Sequence, residues 1–219
     1  MEKKLSKMRI PIAKEGYVFI VPLLGITILF GIISIKGAIV PAILTLFVVY
    51  FFRDPERVVS SEAGIIVSPA DGRVIDINHK ADENLMGEES VCVSIFLSVF
   101  NVHVNRIPCE GNVIQTVYNS GKFLPAFQEK ASLLNEQNSL VIDHKNKKIV
   151  VRQIAGLIAR RIVCWVKEGC QVARGQRFGL IRFGSRVDLF VSKDVELKIK
   201  KGDKVVGGKT IIGKIKDEI

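Results

Sequence analysis

The hydrophobic positions of this chain are concentrated before residue 53, where two long apolar runs follow each other. Residues 17–35 carry no charge, Lys36 and Gly37 interrupt the pattern, and residues 38–52 form a second uncharged run. As helices the runs would reach about 28 Å and about 22 Å, against a bilayer hydrocarbon core of about 30 Å. The pattern predicts an apolar helical hairpin that spans a membrane, lies in one leaflet, or forms a soluble core pair.

From residue 58 onward the pattern changes to short apolar runs bounded by glycine, which is typical of β-strands. The clearest predicted strands are 64–67, 72–77 and 90–97. Helix is predicted at 125–135 and for a turn or two at 156–161, although 154–166 also fits a strand. We therefore predict a mainly β (α+β) protein, with a helical hairpin at 1–57 and a β-rich domain at 58–219.

Two internal similarities refine the predicted architecture. The segment that begins at Gly72 (Gly-Arg-Val-Ile-Asp) is echoed at Gly111 (Gly-Asn-Val-Ile-Gln). A Gly-x-x-Val-x-x-Gly unit at 169–175 recurs at 202–208. Such units resemble the hairpins of biotinyl and lipoyl carrier domains, in which glycine permits tight turns. We expect a barrel-sandwich-like β domain with quasi-repeated hairpins.

Composition and charge point to a membrane partner. The mean hydropathy is +0.28 and the net charge is +10, with a sequence pI near 9.5. Aromatic residues are only 7% and no nucleic-acid motif accompanies the basic residues, so an anionic lipid surface is the expected partner and nucleic acid is not. Basic residues outside both ends of the hairpin predict cytoplasmic ends, with the β-rich domain on the cytoplasmic side of the cell (inner) membrane.

The scattered cysteines and histidines predict neither a disulfide framework nor a metal site. The four cysteines show no CxxC pair, and the three histidines lie far apart in sequence. We expect reduced, partly buried thiols. His79 and His144 lie in polar stretches and are expected at the surface.

The candidate chemistry centres on Gly184 and Ser185, which interrupt strand-like sequence at 179–190. A glycine can turn its carbonyl toward the next side chain, because its backbone reaches conformations closed to other residues. A serine hydroxyl that attacks this carbonyl forms an ester, and elimination from the ester leaves a new N-terminus with a reactive carbonyl. The alternative is an ordinary bulge or turn.

Two further residues are candidates for proton transfer. His103 stands between valines in an apolar run, where a structural histidine is the alternative. Asp71 precedes Gly72 in a tight turn that can present its carboxylate, although Asp-Gly is also a common turn pair.

Four segments in order resemble the short bacterial and archaeal phosphatidylserine decarboxylases. They are Ser68-Pro-Ala-Asp71-Gly-Arg-Val74, Phe100-Asn-Val-His103-Val-Asn-Arg-Ile-Pro108, Gln153-Ile-Ala-Gly-Leu-Ile-Ala-Arg-Arg-Ile162 and Phe183-Gly184-Ser185-Arg186-Val187-Asp188. The resemblance implies that the proenzyme divides into a β chain, 1–184, and an α chain, 185–219, which form a heterodimer, with further dimerisation left open. It also implies that Ser185 becomes a pyruvoyl group, while Asp71 and His103 assist cleavage or catalysis.

The same resemblance implies a reaction and a substrate. Loss of carbon dioxide from an amino acid leaves a carbanion, for which a pyruvoyl carbonyl is an electron sink. The substrate would be phosphatidylserine, or its ether-lipid counterpart, and the product phosphatidylethanolamine. Longer family members have a second histidine where this chain has Arg106, which leaves the division of labour open. Arg106, Arg160 and Arg161 are candidate contacts for the lipid phosphate.

A second hypothesis is a membrane-anchored carrier or binding module of biotinyl or lipoyl type, without chemistry of its own. It requires a modifiable lysine in a hairpin turn. The nearest candidate, Lys204, lies inside the second Gly-x-x-Val-x-x-Gly unit, where those domains do not carry their modified lysine.

Overall fold

A computed structural model describes residues 11–79, 85–87, 89–121, 135–156, 161–182 and 185–215. Within them the chain forms two compact units, one that ends at Glu56 and one that begins at Arg57. The first is helical and the second is a β domain, which confirms the predicted fold class. The predicted helix at 125–135 falls outside the described residues except for Asn135.

The first unit is a helical hairpin. A short 3₁₀ turn, Lys14–Gly16, leads into α1 (Tyr17–Ile33) and α2 (Ile35–Phe51). The break lies at Ser34, with φ −161° and ψ 125°, and not at the predicted Lys36-Gly37, which is inside α2. One extended residue is enough to separate two helices, because a strand-like ψ ends the intrahelical hydrogen bonding.

Polar contacts hold the hairpin at its base and in its middle. The Ala13 amide donates to the Phe52 carbonyl and the Asp54 amide to the Pro11 carbonyl, so the two ends of the hairpin pair with each other. Thr27 and Thr45 meet Oγ1 to Oγ1 at 3.1 Å across the helix interface. Among the described residues one helical stretch, Lys14–Ile33, is long and apolar enough to cross a membrane, whereas α2 is shorter.

The described residues of the second unit form three antiparallel sheets. The largest has the order β13-β2-β3-β11-β7-β6-β5-β9, and two three-stranded sheets have the orders β4-β10-β8 and β1-β14-β12. The strands are β1 (Ile65–Val67), β2 (Gly72–Asn78), β3 (Ser90–Leu97), β4 (Val104–Arg106), β5 (Gly111–Asn119), β6 (Gln137–His144), β7 (Lys147–Ala155), β8 (Ile162–Cys164), β9 (Gln171–Val172), β10 (Arg177–Ile181), β11 (Ser185–Ser192), β12 (Glu196–Leu197), β13 (Lys204–Val205) and β14 (Ile211–Lys214). The segment 154–166 contributes the end of β7 and all of β8 to the sheets, and most of the predicted helical turn at 156–161 falls outside the described residues.

The internal repeats seen in the sequence occupy equivalent places in the large sheet. Gly72 of β2 pairs with Val205, and Gly111 of β5 pairs with Val172. Each of the two similar glycine segments therefore pairs with one Gly-x-x-Val-x-x-Gly unit, and the two pairs lie at opposite edges of the sheet. A Cβ at Gly72 or at Gly111 would stand 2.2 Å from a carbonyl oxygen of the neighbouring strand. Both positions therefore require glycine for the same steric reason.

The apolar core lies on one face of the large sheet. Leu97, Val151, Ala155 and Val187 of this sheet belong to the same buried cluster as Ile181 of β10. Strand side chains alternate between the two faces, so every second residue of β3, β7 and β11 points into this core. The sheet β4-β10-β8 supplies residues to the same core and positions the candidate site.

Candidate active site

Ser185 is the first residue of β11, which is a central strand of the large sheet. It pairs with Leu97, the last residue of β3, on one side and with Ala155, the last residue of β7, on the other. Directly opposed residues of antiparallel strands share a face, so Ser185 points into the core with these two side chains. Its Oγ is fully buried and has no hydrogen-bond partner within the described part of the chain. A buried hydroxyl in this state is costly for folding and is typical of a reactive position.

His103 is tied to the same end of the large sheet by the turn that follows β3 and by a backbone hydrogen bond to β10. It follows the turn 98–101, which begins directly after Leu97, and the Ser98 amide and hydroxyl both bond to Asn101 Oδ1. Its carbonyl accepts the amide of Ile181, four residues before Ser185. The ring is buried, and Nδ1 lies 3.0 Å from the Asn101 carbonyl. A carbonyl at Nδ1 favours the tautomer with its proton there, which leaves Nε2 as a proton acceptor.

Asp71 stands at the start of β2, at the same end of the sheet. The register Arg73 to Phe96 places the beginning of β2 beside the end of β3, where Ser185 also pairs. Its carboxylate accepts the Gly207 amide at 2.7 Å on Oδ1 and the Arg57 guanidinium at 2.9 Å on Oδ2. The structure therefore gathers Asp71, His103 and Ser185 at the end of the sheet where β2 and β11 begin and β3 and β7 end.

The sequence did not single out Arg57, which holds the Asp71 carboxylate. Its guanidinium is mostly buried, and the pair is the polar contact that ties residue 57 to the turn before β2. In the sequence Arg57 is simply one of the basic residues that follow the apolar runs. A long-range ion pair leaves no periodic signal in a sequence, so no pattern could have found it.

The candidate arginines differ in their surroundings. Arg106 is buried, its Nη1 donates to the Gly175 carbonyl at 2.9 Å, and its amide donates to Pro69, two residues before Asp71. Arg161 is exposed, and its carbonyl accepts the amide of Arg182 at 3.3 Å. Arg160 and Gly184 lie outside the described residues.

The surroundings of Arg161 are polar. Glu136 accepts hydrogen bonds from the Tyr118 hydroxyl and the Ile162 amide. Desolvation and this carboxylate raise the pKa of Tyr118, and the charge of Arg161 lowers it in part. The positive charge of Arg161 thus acts within a patch that already contains a carboxylate.

Two further sequence-predicted positions can be placed. His144 is buried at the end of β6, with Nδ1 2.6 Å from the Glu110 carbonyl, so its predicted surface position is wrong. The adjoining turn, in which Lys145 and Asn146 have positive φ, folds the chain back after β6. Lys204 of the carrier hypothesis lies in β13, paired with Arg73, and not in a turn.

The cysteines and potential metal ligands complete the inventory of reactive groups. Cys92 and Cys109 are buried, and burial raises the pKa of both thiols, so they remain protonated. In the described part of the chain no three His, Cys, Asp or Glu side chains come together as metal ligands do. The described residues bring a buried hydroxyl, an imidazole and a carboxylate to the candidate site.

Comparisons with known proteins identify relatives along nearly the whole chain. The family model described as phosphatidylserine decarboxylase matches residues 44–213. A phosphatidylserine decarboxylase proenzyme of Geotalea uraniireducens is 49% identical over 205 residues, which cover 93% of this chain and 96% of the relative. The proteins of the same name from Geobacter metallireducens and Symbiobacterium thermophilum are 46% and 44% identical and cover 93% and 96% of this chain, and 96% and 99% of their own.

Proposed function

Because this chain belongs to the phosphatidylserine decarboxylase family, we propose that it cleaves itself between Gly184 and Ser185 and then decarboxylates phosphatidylserine through a pyruvoyl group formed from Ser185. The observation that supports this most directly is the buried Ser185 hydroxyl, which has no hydrogen-bond partner in the described part of the chain. A residue that only closed a strand would gain stability from an apolar side chain at this position.

The proposed cleavage balances with one water consumed and one ammonia released. Ser185 Oγ attacks the carbonyl carbon of Gly184, its proton passes through a base to the departing amide nitrogen, and an ester replaces the peptide bond. Loss of the Cα proton of residue 185 then breaks the Cβ–Oγ bond, and Gly184 leaves with a carboxylate. Water replaces the nitrogen on Cα, so the new N-terminus carries a keto group.

His103 is the proposed base for these proton transfers. Its Nδ1 contact with the Asn101 carbonyl leaves Nε2 to take a proton, and its carbonyl bond to Ile181 fixes it beside the strand that leads to Ser185. Asp71 is proposed to assist from the start of β2, where Arg57 and the Gly207 amide fix the direction of its carboxylate.

The residues around Ser185 fit a pyruvoyl group, since this group is the serine residue without its amide nitrogen and its hydroxyl and therefore needs no new space. It would lie at the start of β11, where residue 185 stands opposite Leu97 and Ala155. A pyruvoyl carbonyl supplies an electron sink for the charge that carbon dioxide leaves on the substrate. His103 would then return a proton to that carbon.

We also propose that the helical hairpin anchors the enzyme in the cell membrane, with the β domain on the cytoplasmic side. Apolar side chains along both helices are exposed, and Ile32 and Ile35 are each 79% exposed. The pairing of residues 11–13 with 52–54 brings both hairpin ends together, and basic residues follow at these ends. A hairpin that spans the membrane and one that lies in a single leaflet should both keep the chain in the membrane fraction when membranes are washed with alkaline carbonate. Release of the chain into the soluble fraction would contradict this anchor.

The decisive experiment compares Ser185→Ala with Ser192→Ala, a matched loss of a hydroxyl at the other end of β11. We expect wild type and Ser192→Ala to give two fragments on denaturing mass analysis, and Ser185→Ala to remain one chain of 24.3 kDa without decarboxylase activity. Borohydride with phosphatidylserine should trap substrate on the smaller fragment of wild type and of Ser192→Ala, and should trap none on Ser185→Ala. A cleaved or active Ser185→Ala protein would refute the proposal.

A further inference from the structure

Three amide side chains form a hydrogen-bonded chain inside the otherwise apolar core. Asn138 Nδ2 of β6 donates to Gln153 Oε1 of β7 at 3.2 Å, and Gln153 Nε2 donates to Asn105 Oδ1 of β4 at 2.8 Å. All three residues are buried, and Gln153 and Asn105 are fully so. Buried amides cost free energy unless they are bonded, and an apolar core has no packing need for them.

The amide chain has a direction, and it ends in a donor. Gln153 and Asn105 each accept a hydrogen bond on the carbonyl oxygen from the NH₂ group of the preceding amide. The NH₂ group at the end of the series is therefore Asn105 Nδ2. This nitrogen is buried and has no hydrogen-bond partner in the described segments. Residues of the large sheet and of the sheet β4-β10-β8 together hold one neutral donor, Asn105 Nδ2, in the interior.

The strand register places Gln153, the partner of Asn105, near the reacting residue. Gln153 lies opposite Val187, and Ala155, two residues further along β7, lies opposite Ser185. Gln153 and Ser185 are thus diagonal neighbours on one face, a separation of about 7–8 Å between Cα atoms in such sheets. Asn105 is the middle residue of β4 and follows His103, which immediately precedes this strand, by two positions.

A glycine on the facing strand makes room for the amide chain. Gly179 of β10 pairs with Asn105, and a Cβ on Gly179 would stand 3.1 Å from Gln153 Nε2 and 2.2 Å from the Val163 carbonyl. The space beside this amide is therefore kept open by a residue without a side chain.

We propose, on the basis of the proposed function, that Asn105 donates a hydrogen bond to Ser185 Oγ when this oxygen leaves, and that Gln153 and Asn138 position it. In the ester, removal of the Cα proton of residue 185 forms the Cα=Cβ double bond and breaks the Cβ–Oγ bond. The electron pair goes to Oγ, which becomes part of the Gly184 carboxylate. A donor at this oxygen stabilises the charge that develops there.

A neutral amide suits this step better than a cation. A charged side chain fully buried in this core would need a partner charge, whereas an amide fixed by other amides needs none. Arg106, the neighbouring residue on β4, points its guanidinium instead to the Gly175 carbonyl. Asn105 is therefore a donor that this core can hold without a partner charge.

The experiment separates ester formation from elimination. Asn105→Leu keeps the side-chain volume but removes the donor, so the ester should accumulate and elimination should slow about tenfold or more, as for the loss of one hydrogen bond to a developing charge. Hydroxylamine cleaves esters, so it should cut full-length Asn105→Leu into 1–184 and a fragment that begins with unmodified Ser185. Ile142→Val, a conservative core change, controls for a general loss of stability and should process as wild type does.

A second variant covers the case in which Asn105→Leu does not fold. Gln153→Glu retains the shape of Gln153, but its carboxyl donates to Asn105 only while it is protonated. Its processing should approach the wild-type rate at low pH and fall as the pH rises, whereas a merely structural glutamine would give wild type and variant the same pH profile.

The outcomes distinguish this proposal from the proposed function. If Ser185→Ala stays whole while Asn105→Leu processes as fast as wild type and shows no hydroxylamine-sensitive chain, the role of Asn105 is refuted and the enzyme assignment stands. If Ser185→Ala is cleaved, the proposed function itself is refuted. Accumulation of the ester in Asn105→Leu, but not in Ile142→Val, would support both.

Discussion

The ion pair between Arg57 and Asp71 gives the sharpest stability prediction for the β domain. Arg57 Nη2 lies 2.9 Å from Asp71 Oδ2, and the side chains retain only 12% and 14% of their exposure. In Arg57→Ala the carboxylate keeps the Gly207 amide but loses its only described charged partner. Breaking a fully buried pair costs about 3–5 kcal/mol, and a charged hydrogen bond contributes about 1.5–3 kcal/mol.

For a pair that water still reaches, we take about 2 kcal/mol as the expected loss. A domain of this size loses about 2–4 °C of melting temperature for each kcal/mol, so Arg57→Ala should melt about 4–8 °C below wild type. The assay is thermal unfolding in detergent at neutral pH, with Ser185→Ala as the background so that cleavage does not alter the chain. Arg57→Lys should recover part of the loss, because an ammonium group restores the charge.

Arg73→Ala is the matched control. Arg73 is exposed on β2, and its guanidinium donates to the Gly202 carbonyl at 2.9 Å, so its loss should shift the melting temperature by no more than about 2 °C. Asp71→Asn should lose less in the Arg57→Ala background than alone, since the partner charge is already absent. If Arg57→Ala and Arg73→Ala have the same melting temperature, the ion pair does not stabilise the turn before β2 and this reasoning is wrong.

Three shorter predictions test other parts of the β domain. Gly179→Ala should destabilise it by about 1–3 kcal/mol, since the new Cβ would overlap a carbonyl of β8 at 2.2 Å, and an unchanged melting temperature would contradict this packing. The pKa of Glu110 is lowered mainly by its hydrogen bond with Arg174, so this contribution to stability is present above the unfolded pKa of about 4.3 and is lost as the pH falls through the lower folded value. The melting temperatures of wild type and Glu110→Gln should therefore converge below about pH 4, and a constant difference down to pH 3 would count against the pair. Alkylation of the native protein at pH 8 should modify exposed Cys170 and spare Cys109, whose thiol pKa is raised by burial, and equal rates would show that the core opens.

Much of the fold follows from local patterns that a sequence displays directly. The strands predicted at 64–67, 72–77 and 90–97 occur as β1, β2 and β3 with bounds within one residue. The apolar runs form the two predicted helices, but their boundary is at Ser34. Because Lys36 and Gly37 change only the local polarity, they interrupt the hydrophobic pattern without ending a helix.

The candidate site was only partly visible in the sequence. Ser185, His103 and Asp71 stand out as a Gly-Ser pair, a histidine in an apolar run and a carboxylate before a turn glycine. His144 shows the limit of such reasoning, since its polar neighbours predict exposure while the fold buries it against the Glu110 carbonyl. The neighbours along the chain do not report which distant strand covers a side chain.

The sequence by itself determined the two-part organisation, the β character of the larger part and the residues with reactive side chains, because periodicity, glycine spacing and chemical type are properties of adjacent positions. Only the tertiary structure decided that Arg57 holds Asp71, that the end of β3 brings His103 beside the start of β11, and that Asn105, Gln153 and Asn138 join in one buried chain. The three side-chain hydrogen bonds among these contacts link positions from 14 to 48 residues apart. They exist because antiparallel pairing sets one strand against another, and the register that selects the partners depends on the packing of the whole core.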